Sequence, residues 1–424
     1  MLSFMTQTRF PFRRGSKNDP STRRIAVRIA PAESMVDAAL ASAIADAVAA
    51  RHEQMLAFLK TLVTIESPSD DPDAIRAVQE PLAAQLTQLN FEVHTLPGRE
   101  GRGPHLYARP AHRTSGAPCQ LLVGHCDTVW PHGTLDVMPF ERDGNVIRGP
   151  GVFDMKGGLV QLLFALQALR DVEVTPPVTP IVFINSDEEV GSPTSARHIE
   201  RLARRMERAF VVESSLGRKG NIKTARKGIG RYTIRIQGKS AHAGLDPESG
   251  SSAILELSHV VQAVHALNDP EAGITVNVGT IDGGTRPNVV AAESQAAVDV
   301  RVRTQAQAEA VDKQLRSLSS TTPGTTLRVD GGIGRPPMEF TDDARQLWNH
   351  AQTAAQWLDI PLDHGRSGGA SDGNLVSQHT PTLDGLGAVG DGAHARHEFC
   401  YADKMVERAA LLALLIAWPP RSGA

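Results

Sequence analysis

Three consecutive acids, Asp187, Glu188 and Glu189, follow an apolar, β-branched run from Ile181 to Ile184. The run is typical of a buried strand, so the acids stand at its carboxyl end. Adjacent carboxylates repel each other, and such a cluster is stable where cations sit. The carboxyl ends of strands are also where open α/β sheets bind ligands. The stretch therefore indicates either a cation or ligand site or a solvated acidic loop.

A second apolar run, Cys119–Gly124, leads directly into His125, Cys126 and Asp127. Successive side chains of an extended chain point to opposite sides, so His125 and Asp127 share one side and Cys126 faces the other. One carboxylate can then orient one imidazole. A hydrogen-bonded strand end is the ordinary alternative for this pattern. Cys126 is expected in the core and not as a nucleophile, because it points away from both partners.

Two more acids occupy comparable positions. Asp154 lies in the glycine-rich segment 149–158, which opens a helix with a leucine stripe, and Glu213 follows the apolar run 209–212. Asp154 alone could be an N-cap, but the surrounding glycines exceed what a cap needs. Parallel strands joined by helices present their carboxyl ends at one edge, so the metal-capable side chains are expected to converge. These residues are His125, Asp154, Glu188, Glu189 and Glu213.

The chain changes pattern between residues 227 and 336, where strands and helices alternate in the order β-α-β-β-α-β. This order predicts a ferredoxin-like domain inserted into the first one. The predicted organisation is a catalytic domain in two parts, residues 36–226 and 337–424, around an inserted domain, residues 227–336. Residues 1–35 are rich in arginine and lack an apolar core. We expect a disordered extension or a misplaced start there, with a targeting peptide as the alternative.

Composition limits the classes of partner. The formal net charge of −3 and the pI near 6.6 give no electrostatic reason to expect nucleic acid or an anionic membrane. No uninterrupted apolar run approaches the roughly 20 residues of a spanning helix. Three scattered cysteines, Cys119, Cys126 and Cys400, do not form a disulfide framework. We therefore expect a cytoplasmic protein with no nucleic-acid or membrane partner.

Together with His394 near the C-terminus and His242 in the inserted segment, these motifs closely resemble the dinuclear zinc metallopeptidases of the aminoacylase and carboxypeptidase G family. The resemblance extends from about residue 36 to the C-terminus. It implies an α/β zinc-peptidase domain, a mixed β-sheet flanked by helices, interrupted by a ferredoxin-like α+β dimerisation or lid domain. It also implies two Zn²⁺ per subunit and a homodimer formed through the insertion.

The resemblance assigns the metal ligands residue by residue. Asp154 would bridge the two ions, His125 and Glu213 would complete one site, and Glu189 and His394 the other. Two divalent ions about 3.5–4 Å apart need one shared anion and leave a position for water between them. Oxygen and nitrogen ligands without thiolates suit Zn²⁺ and also Co²⁺ or Mn²⁺.

The same resemblance assigns three catalytic roles. Asp127 matches the acid that holds the ligating imidazole, and Glu188 matches the general base. His242 matches a histidine that reaches across a dimer to polarise the scissile carbonyl in the partner's site. The spacing of His394, His397 and Glu398 is more compact than is usual in the family, so His397 is an alternative ligand.

The segments 239–244 and 366–372, and Glu213 as a ligand, are most similar to the glutamate carboxypeptidase branch. Asn288, Arg301 and Arg335 occupy positions where that branch binds substrate. An arginine can bind a carboxylate through two hydrogen bonds, although each of these could equally be an ordinary surface residue.

The resulting functional prediction is a zinc-dependent metallocarboxypeptidase that releases a C-terminal amino acid, with a glutamate-like residue favoured, from an N-acyl or short peptide substrate. An aminoacylase or deacylase acting on other N-acyl amino acids has the same chemistry and is the first alternative. A catalytically silent relative that only binds such ligands is the second. The retained base, Glu188, argues against it.

Overall fold

The structure, a computed structural model, describes residues 36–421, so the predicted extension at residues 1–35 lies outside the described part. The helices within it are α1 (Ala38–Ala49), α2 (His52–Val63), α3 (Pro72–Gln88), α4 (Gly157–Asp171), α5 (Ala196–Ala203), α6 (Ala253–His265), α7 (Gln305–Arg316), α8 (Asp342–Trp357), α9 (Asp372–Val376) and α10 (Ala402–Ala417). The strands are β1 (Phe91–Leu96), β2 (His105–Pro110), β3 (Cys119–His125), β4 (Glu141–Asp143), β5 (Val146–Arg148), β6 (Thr179–Asn185), β7 (Arg208–Val211), β8 (Ile222–Arg226), β9 (Gly228–Gln237), β10 (Thr275–Gly283), β11 (Glu293–Val302), β12 (Thr326–Arg335), β13 (His364–Ser367), β14 (Thr382–Leu383), β15 (Gly390–Asp391) and β16 (Phe399–Tyr401).

The largest sheet has six strands in the order β1-β2-β6-β3-β7-β14. Strands β6, β3, β7 and β14 run parallel to one another. Strand β2 is antiparallel to both of its neighbours, β1 and β6. The sheet is therefore mixed, as predicted.

Helices cover both faces of this sheet, and the alternation along β3 shows why. Leu121 and Val123 belong to a core cluster that includes Ile199 of α5. Leu122 belongs instead to the large cluster that contains Leu412 of α10. A strand buried on both faces needs apolar residues at successive positions, which explains its continuous apolar sequence.

The parallel strands bring their carboxyl ends to one edge. His125, the last residue of β3, is paired with Asn185, the last residue of β6. Val123 is paired with Val211 at the end of β7. The residues that directly follow β6 and β7 must therefore lie beside His125.

Helix α4 approaches this edge closely because of a glycine. A Cβ atom added at Gly158 would lie 1.9 Å from the backbone oxygen of Val212. Just upstream, Gly151 has a φ of 76°, and Asp154 lies in the segment Val152–Lys156 that precedes α4, with non-helical backbone angles of φ −120° and ψ 96°. Glycine is favoured at positive φ because it has no Cβ.

The inserted segment forms a second sheet of four antiparallel strands in the order β10-β11-β9-β12. Helices α6 and α7 pack on one face, with Leu257, Val311 and Ile234 in their shared core. The β-α-β-β-α-β prediction is confirmed. Strand β12 continues to Arg335, close to the predicted end of the inserted domain. The domain boundaries at residues 227 and 336 stay predictions.

One stretch of the described chain, Val152–Asp171, has the length and apolar composition of a membrane span. Its most apolar window is 94% buried inside the protein. The stretch includes α4, which belongs to the largest hydrophobic cluster. A core helix of a globular domain passes the same test of length and composition.

Candidate dinuclear metal centre

Asp154 lies between two imidazoles. Its Oδ1 is 3.4 Å from Nε2 of His125, and its Oδ2 is 3.4 Å from Nε2 of His394. Each carboxylate oxygen thus faces a different histidine. This is the arrangement that a carboxylate shared between two cations requires.

Each histidine has one further acid beside it. Oε1 of Glu213 is 3.6 Å from Nε2 of His125, and Oε2 of Glu189 is 3.0 Å from Nε2 of His394. The five side chains therefore form two acid and imidazole pairs around Asp154. The side chain of His394 is 54% exposed, so this side of the cluster is open to solvent.

Glu188 lies close enough to the first pair to be a ligand or a base. Its carboxylate can place an oxygen within 4.8 Å of the ligand atoms of His125 and Glu213. A second set within the same distance contains His125, Asp154 and Glu189. The two consecutive acids thus belong to different sets.

Asp127 holds both the imidazole and the acidic loop. Its Oδ1 is 3.4 Å from Nδ1 of His125, and its backbone oxygen is 3.0 Å from the same nitrogen. Its Oδ2 accepts hydrogen bonds from Ser69 Oγ at 2.7 Å and from the backbone N–H of Glu189 at 3.2 Å. Its Oδ1 accepts from the N–H of Glu188 at 3.3 Å. Asp127 therefore orients His125 and fixes the position of both glutamates.

Arg226 lies behind Glu213. Its Nη2 is 3.7 Å from Oε2 of Glu213, and its Nε donates to Asp384 at 2.6 Å. Burial alone would lower the pKa of Arg226, but the two acids outweigh it and raise that pKa. A permanent positive charge thus faces the outer oxygen of one candidate ligand.

The acids of the cluster have shifted pKa values. Burial raises the pKa of Glu189 to about 7 and raises that of Glu188 well above its ordinary value. Burial also opposes ionisation of Asp154, but its close contacts with His125 and His394 outweigh it and lower its pKa. A bound cation would favour the charged form of each of these acids and so lower the raised pKa values.

The pKa values of both histidines are raised. Hydrogen bonds to Asp154 and Glu189 raise the pKa of His394 to about 10. Burial disfavours a charged His125, yet its contacts with Asp127, Asp154 and other acids raise its pKa well above the usual value. In the absence of metal, protons therefore supply the positive charge.

Within residues 36–421, two buried atoms of the cluster make no hydrogen bond: Nε2 of His125 and Oε1 of Glu189. Buried polar atoms are almost always paired, so unpaired ones point to a missing partner. Both atoms are of the kind that binds zinc. The donor set therefore fits divalent cations.

Arg335, a predicted substrate-binding residue, lies at this cluster. Its Nη2 is 3.1 Å from Oε1 of Glu188, and its Nη1 donates to Oδ1 of Asp372 at 3.0 Å. The side chain is 9% exposed. The alternative of an ordinary surface arginine is wrong for this residue.

The remaining predicted residues, catalytic His242 and substrate-binding Asn288 and Arg301, fall within the predicted inserted domain, residues 227–336. His242 and Asn288 are both exposed and adjacent, since the N–H of Ala243 donates to the backbone oxygen of Asn288 at 3.0 Å. Arg301 forms an ion pair with Asp299 at 2.7 Å on the same strand, β11. Among residues 36–421, no hydrogen bond or ion pair joins these three predicted residues to the metal cluster.

His397, the alternative ligand, and Cys126, the expected core residue, can both be located in the structure. His397 is exposed, whereas it is Nε2 of His394 that lies 3.0 Å from Glu189. Cys126 is fully buried, donates through Sγ to the backbone oxygen of Asn185, and has its pKa raised to about 12 by burial. Cys126 is therefore a core residue and is poorly suited to act as a nucleophile.

Sequence reasoning missed the role of Glu398. Its buried carboxylate accepts hydrogen bonds from the backbone N–H groups of Gly151, Phe153 and Asp154, and from the indole of Trp130. It therefore fixes the segment that carries the candidate bridging acid. The compact spacing after His394 was the only signal, and spacing does not reveal a contact made across the fold.

Residues 121–418 match the profile of "Peptidase family M20/M25/M40". Carboxypeptidase G2 of Pseudomonas sp. (strain RS-16) is 28% identical over 390 residues, which cover 89% of this chain and 92% of that protein.

Solved structures share the fold. The aminopeptidase PepT from Bacillus cereus ATCC 10987 has a TM-score of 0.74 and 23% identity, over 87% of this chain and 99% of that one. The YXEP protein of Bacillus subtilis, described as a dinuclear metal binding peptidase from the M20 family, has a TM-score of 0.65 and 15% identity. That match covers 87% of this chain and 98% of the other.

Proposed function

The chain belongs to the peptidase family M20/M25/M40, and from this premise we propose that it is a metallocarboxypeptidase acting on N-acyl amino acids or short peptides. It hydrolyses the amide bond that joins a C-terminal amino acid to the acyl part. A glutamate-like amino acid is the favoured leaving group, because segments 239–244 and 366–372 resemble the glutamate carboxypeptidase branch. The single observation that carries the proposal is the position of Asp154 between two imidazoles, with Glu188 beside them.

The proposed cofactor is a pair of Zn²⁺ ions, with Co²⁺ or Mn²⁺ as possible substitutes. His125 and Glu213 would hold one ion, Glu189 and His394 the other, and Asp154 both. When bound, such ions act as Lewis acids toward the scissile carbonyl and acidify water.

Glu188 is proposed to move the proton. It takes the proton from the attacking water and delivers it to the nitrogen of the leaving amino acid, which departs as the amine. Burial raises its pKa, which suits a group that must hold a proton between these two steps. Asp127 keeps His125 in place throughout, through the contact with Nδ1.

Arg335 is proposed to receive the C-terminal carboxylate of the substrate. It is buried, it lies next to Glu188, and a guanidinium can bind a carboxylate through two parallel hydrogen bonds. Asn288 and Arg301 would contribute further polar contacts from the inserted domain. His242 would polarise the scissile carbonyl in the site of a partner subunit.

The proposed homodimer would use the inserted domain. Strand β10 is an edge strand of its sheet, and the exposed apolar residues Ile254, Leu255 and Ile281 lie on α6 and β10. A cavity of about 480 Å³ between these two elements is lined by Ile254, Leu257, Val261 and Ile281, among others. An exposed edge next to an apolar patch is typical of an interaction surface, and a two-fold pairing covers both copies at once.

The test combines metal analysis with a substrate panel. Purified protein should contain about two equivalents of divalent metal and hydrolyse N-acyl-glutamate faster than N-acetylated basic or apolar amino acids. The reverse preference would assign the chain to the aminoacylases and deacylases. Absence of amide hydrolysis across the panel, with metal bound, would contradict the proposed function.

The three cysteines are free, which supports the proposal of a reducing, cytoplasmic location.

A further inference from the structure

The guanidinium of Arg335 is shared between two carboxylates. Nη1 donates to Oδ1 of Asp372 at 3.0 Å, and Nη2 lies 3.1 Å from Oε1 of Glu188. Nη2 also donates to Ser192 Oγ at 2.7 Å. The residue proposed to bind the substrate carboxylate is thus already in contact with the proposed base.

The two carboxylates are held very differently. Asp372 is 2% exposed and accepts hydrogen bonds from Ser192 Oγ at 2.5 Å and from the side-chain amide of Asn185. Within the described residues, the carboxylate of Glu188 accepts no hydrogen bond, and its contact with Arg335 is an ion pair without hydrogen-bond alignment. Asp372 is therefore a fixed anchor for Arg335, and Glu188 is the partner that can be exchanged.

Resting on the proposed function, we infer that the substrate carboxylate displaces Glu188 from Arg335 and thereby frees Glu188 to act as the base. While Glu188 faces Arg335, its Oε1 is engaged by the guanidinium. A second carboxylate that reaches the guanidinium repels Glu188 and replaces it, because Asp372 and Ser192 keep Arg335 in place. Recognition of the leaving group is in this way coupled to the proton transfer.

Asp372 is a positioning residue in this scheme. It touches neither the water nor the scissile bond, and it acts by fixing one edge of Arg335 while the other edge changes partner. This gives a function to the acid that ends the glycine-rich segment 366–372.

Removal of Arg335 should have different effects if the residue only binds substrate and if it also restrains Glu188. If Arg335 only bound substrate, its removal would weaken binding of the carboxylate substrate and leave an uncharged analogue unaffected. If Arg335 also restrains Glu188, its removal must accelerate hydrolysis of the uncharged analogue. The opposite signs for the two substrates distinguish the two roles.

The experiment uses an N-acyl amino acid that the wild type hydrolyses, and its primary carboxamide. The variant is Arg335→Leu combined with Asp372→Asn, which removes one positive and one negative charge together, so the net charge of the site is unchanged and Asp372 is not left as an unpaired buried charge. In the wild type, kcat for the carboxamide should be at least about tenfold below kcat for the acid, since the lost contact acts in the transition state. The variant should show a KM for the acid raised about tenfold or more, and a kcat for the carboxamide several-fold above that of the wild type.

A carboxamide kcat in the folded, metal-loaded variant that equals or falls below the wild-type value would overturn the inference. If the variant does not fold, the wild type decides: added acetate should raise its kcat on the carboxamide by occupying Arg335, and no increase over a chloride control of equal ionic strength overturns the coupling. Failure of the wild type to hydrolyse any N-acyl amino acid would instead overturn the proposed function, and this inference with it.

Discussion

Glu398 and Asp154 are 244 residues apart in the chain, yet the carboxylate of Glu398 accepts the backbone N–H of Asp154 at 3.0 Å. The same oxygen accepts the N–H of Phe153 at 2.9 Å, and the other accepts the N–H of Gly151 at 2.9 Å. Burial raises the pKa of Glu398 to about 7, although these hydrogen bonds oppose the rise. One buried acid therefore determines where the candidate bridging carboxylate stands.

We predict that Glu398→Gln weakens metal binding without removing any ligand. The amide keeps one acceptor oxygen but presents an NH₂ group to a backbone N–H, so the segment carrying Asp154 must shift. The apparent affinity for Zn²⁺, measured by competition with a chelator, should fall about 10–100-fold, as for other residues that support ligands. Glu309→Gln on the exposed face of α7 is the matched control. An unchanged affinity in Glu398→Gln would refute the positioning role.

The roles of Glu188 and Asp154 can be separated by metal content. Glu188→Gln should retain about two metal equivalents and lose about 10²–10⁴-fold in kcat, because the proton carrier is gone. Asp154→Ala should lose metal, because both candidate sites share this acid. Elemental analysis of the dialysed proteins gives the answer. Equal loss of metal in both variants would show that Glu188 is a ligand and not a base.

The strand ends that form the site could be predicted from the sequence, because a strand depends on the local pattern of apolar residues. The run Ile181–Ile184 lies within β6, and the observed strand carries it directly to the acidic loop. In contrast, β8 was not recognised, since its sequence contains Lys223 and Arg226. Both are buried, and Arg226 is stabilised there by Asp384, which is 158 residues away. A pattern of polarity cannot reveal a burial that depends on a distant partner.

Separation along the chain also explains which contacts of the site could be predicted from the sequence. His125 and Asp127 are two residues apart, so the alternation of a strand already places them together. Arg335 and Glu188 are 147 residues apart and meet only because β12 returns to the edge of the main sheet. Asp187, for which the sequence suggested no role, accepts hydrogen bonds from Thr194 and Ser195 and so fixes the turn before α5.

Metal binding should become tighter as the pH rises. Without metal, the pKa of His394 is raised to about 10 and that of Glu189 to about 7, so both hold protons that a metal ion must displace. The apparent affinity should therefore rise between about pH 6 and pH 8, with proton release visible as a buffer-dependent heat in calorimetry. An affinity that is constant over this range would contradict the assignment of these ligands.

The stability of the metal-free protein should show the complementary trend. A histidine whose folded pKa is raised stabilises the fold below its unfolded pKa, and this contribution is lost as the pH rises through the folded value. For His394 the loss extends from about 6.5 to about 10. The melting temperature of the metal-free protein should fall over this interval by more than that of His394→Gln. Parallel curves for the two proteins would exclude the contribution of His394.

The proposed action of His242 across a dimer can be tested by complementation. His242 is exposed beside Asn288 and makes no hydrogen bond or ion pair with the metal cluster in the described chain, so it requires a partner site to be catalytic. His242→Ala and Glu188→Ala should each be nearly inactive as homodimers. In a heterodimer, one of the two sites combines an intact Glu188 with an intact His242. Each heterodimer should therefore have up to about half of the activity of a wild-type dimer. His259→Ala, on the same domain, serves as a control that should keep full activity. Absence of any recovery in heterodimers verified by affinity tags would show that His242 does not act in trans.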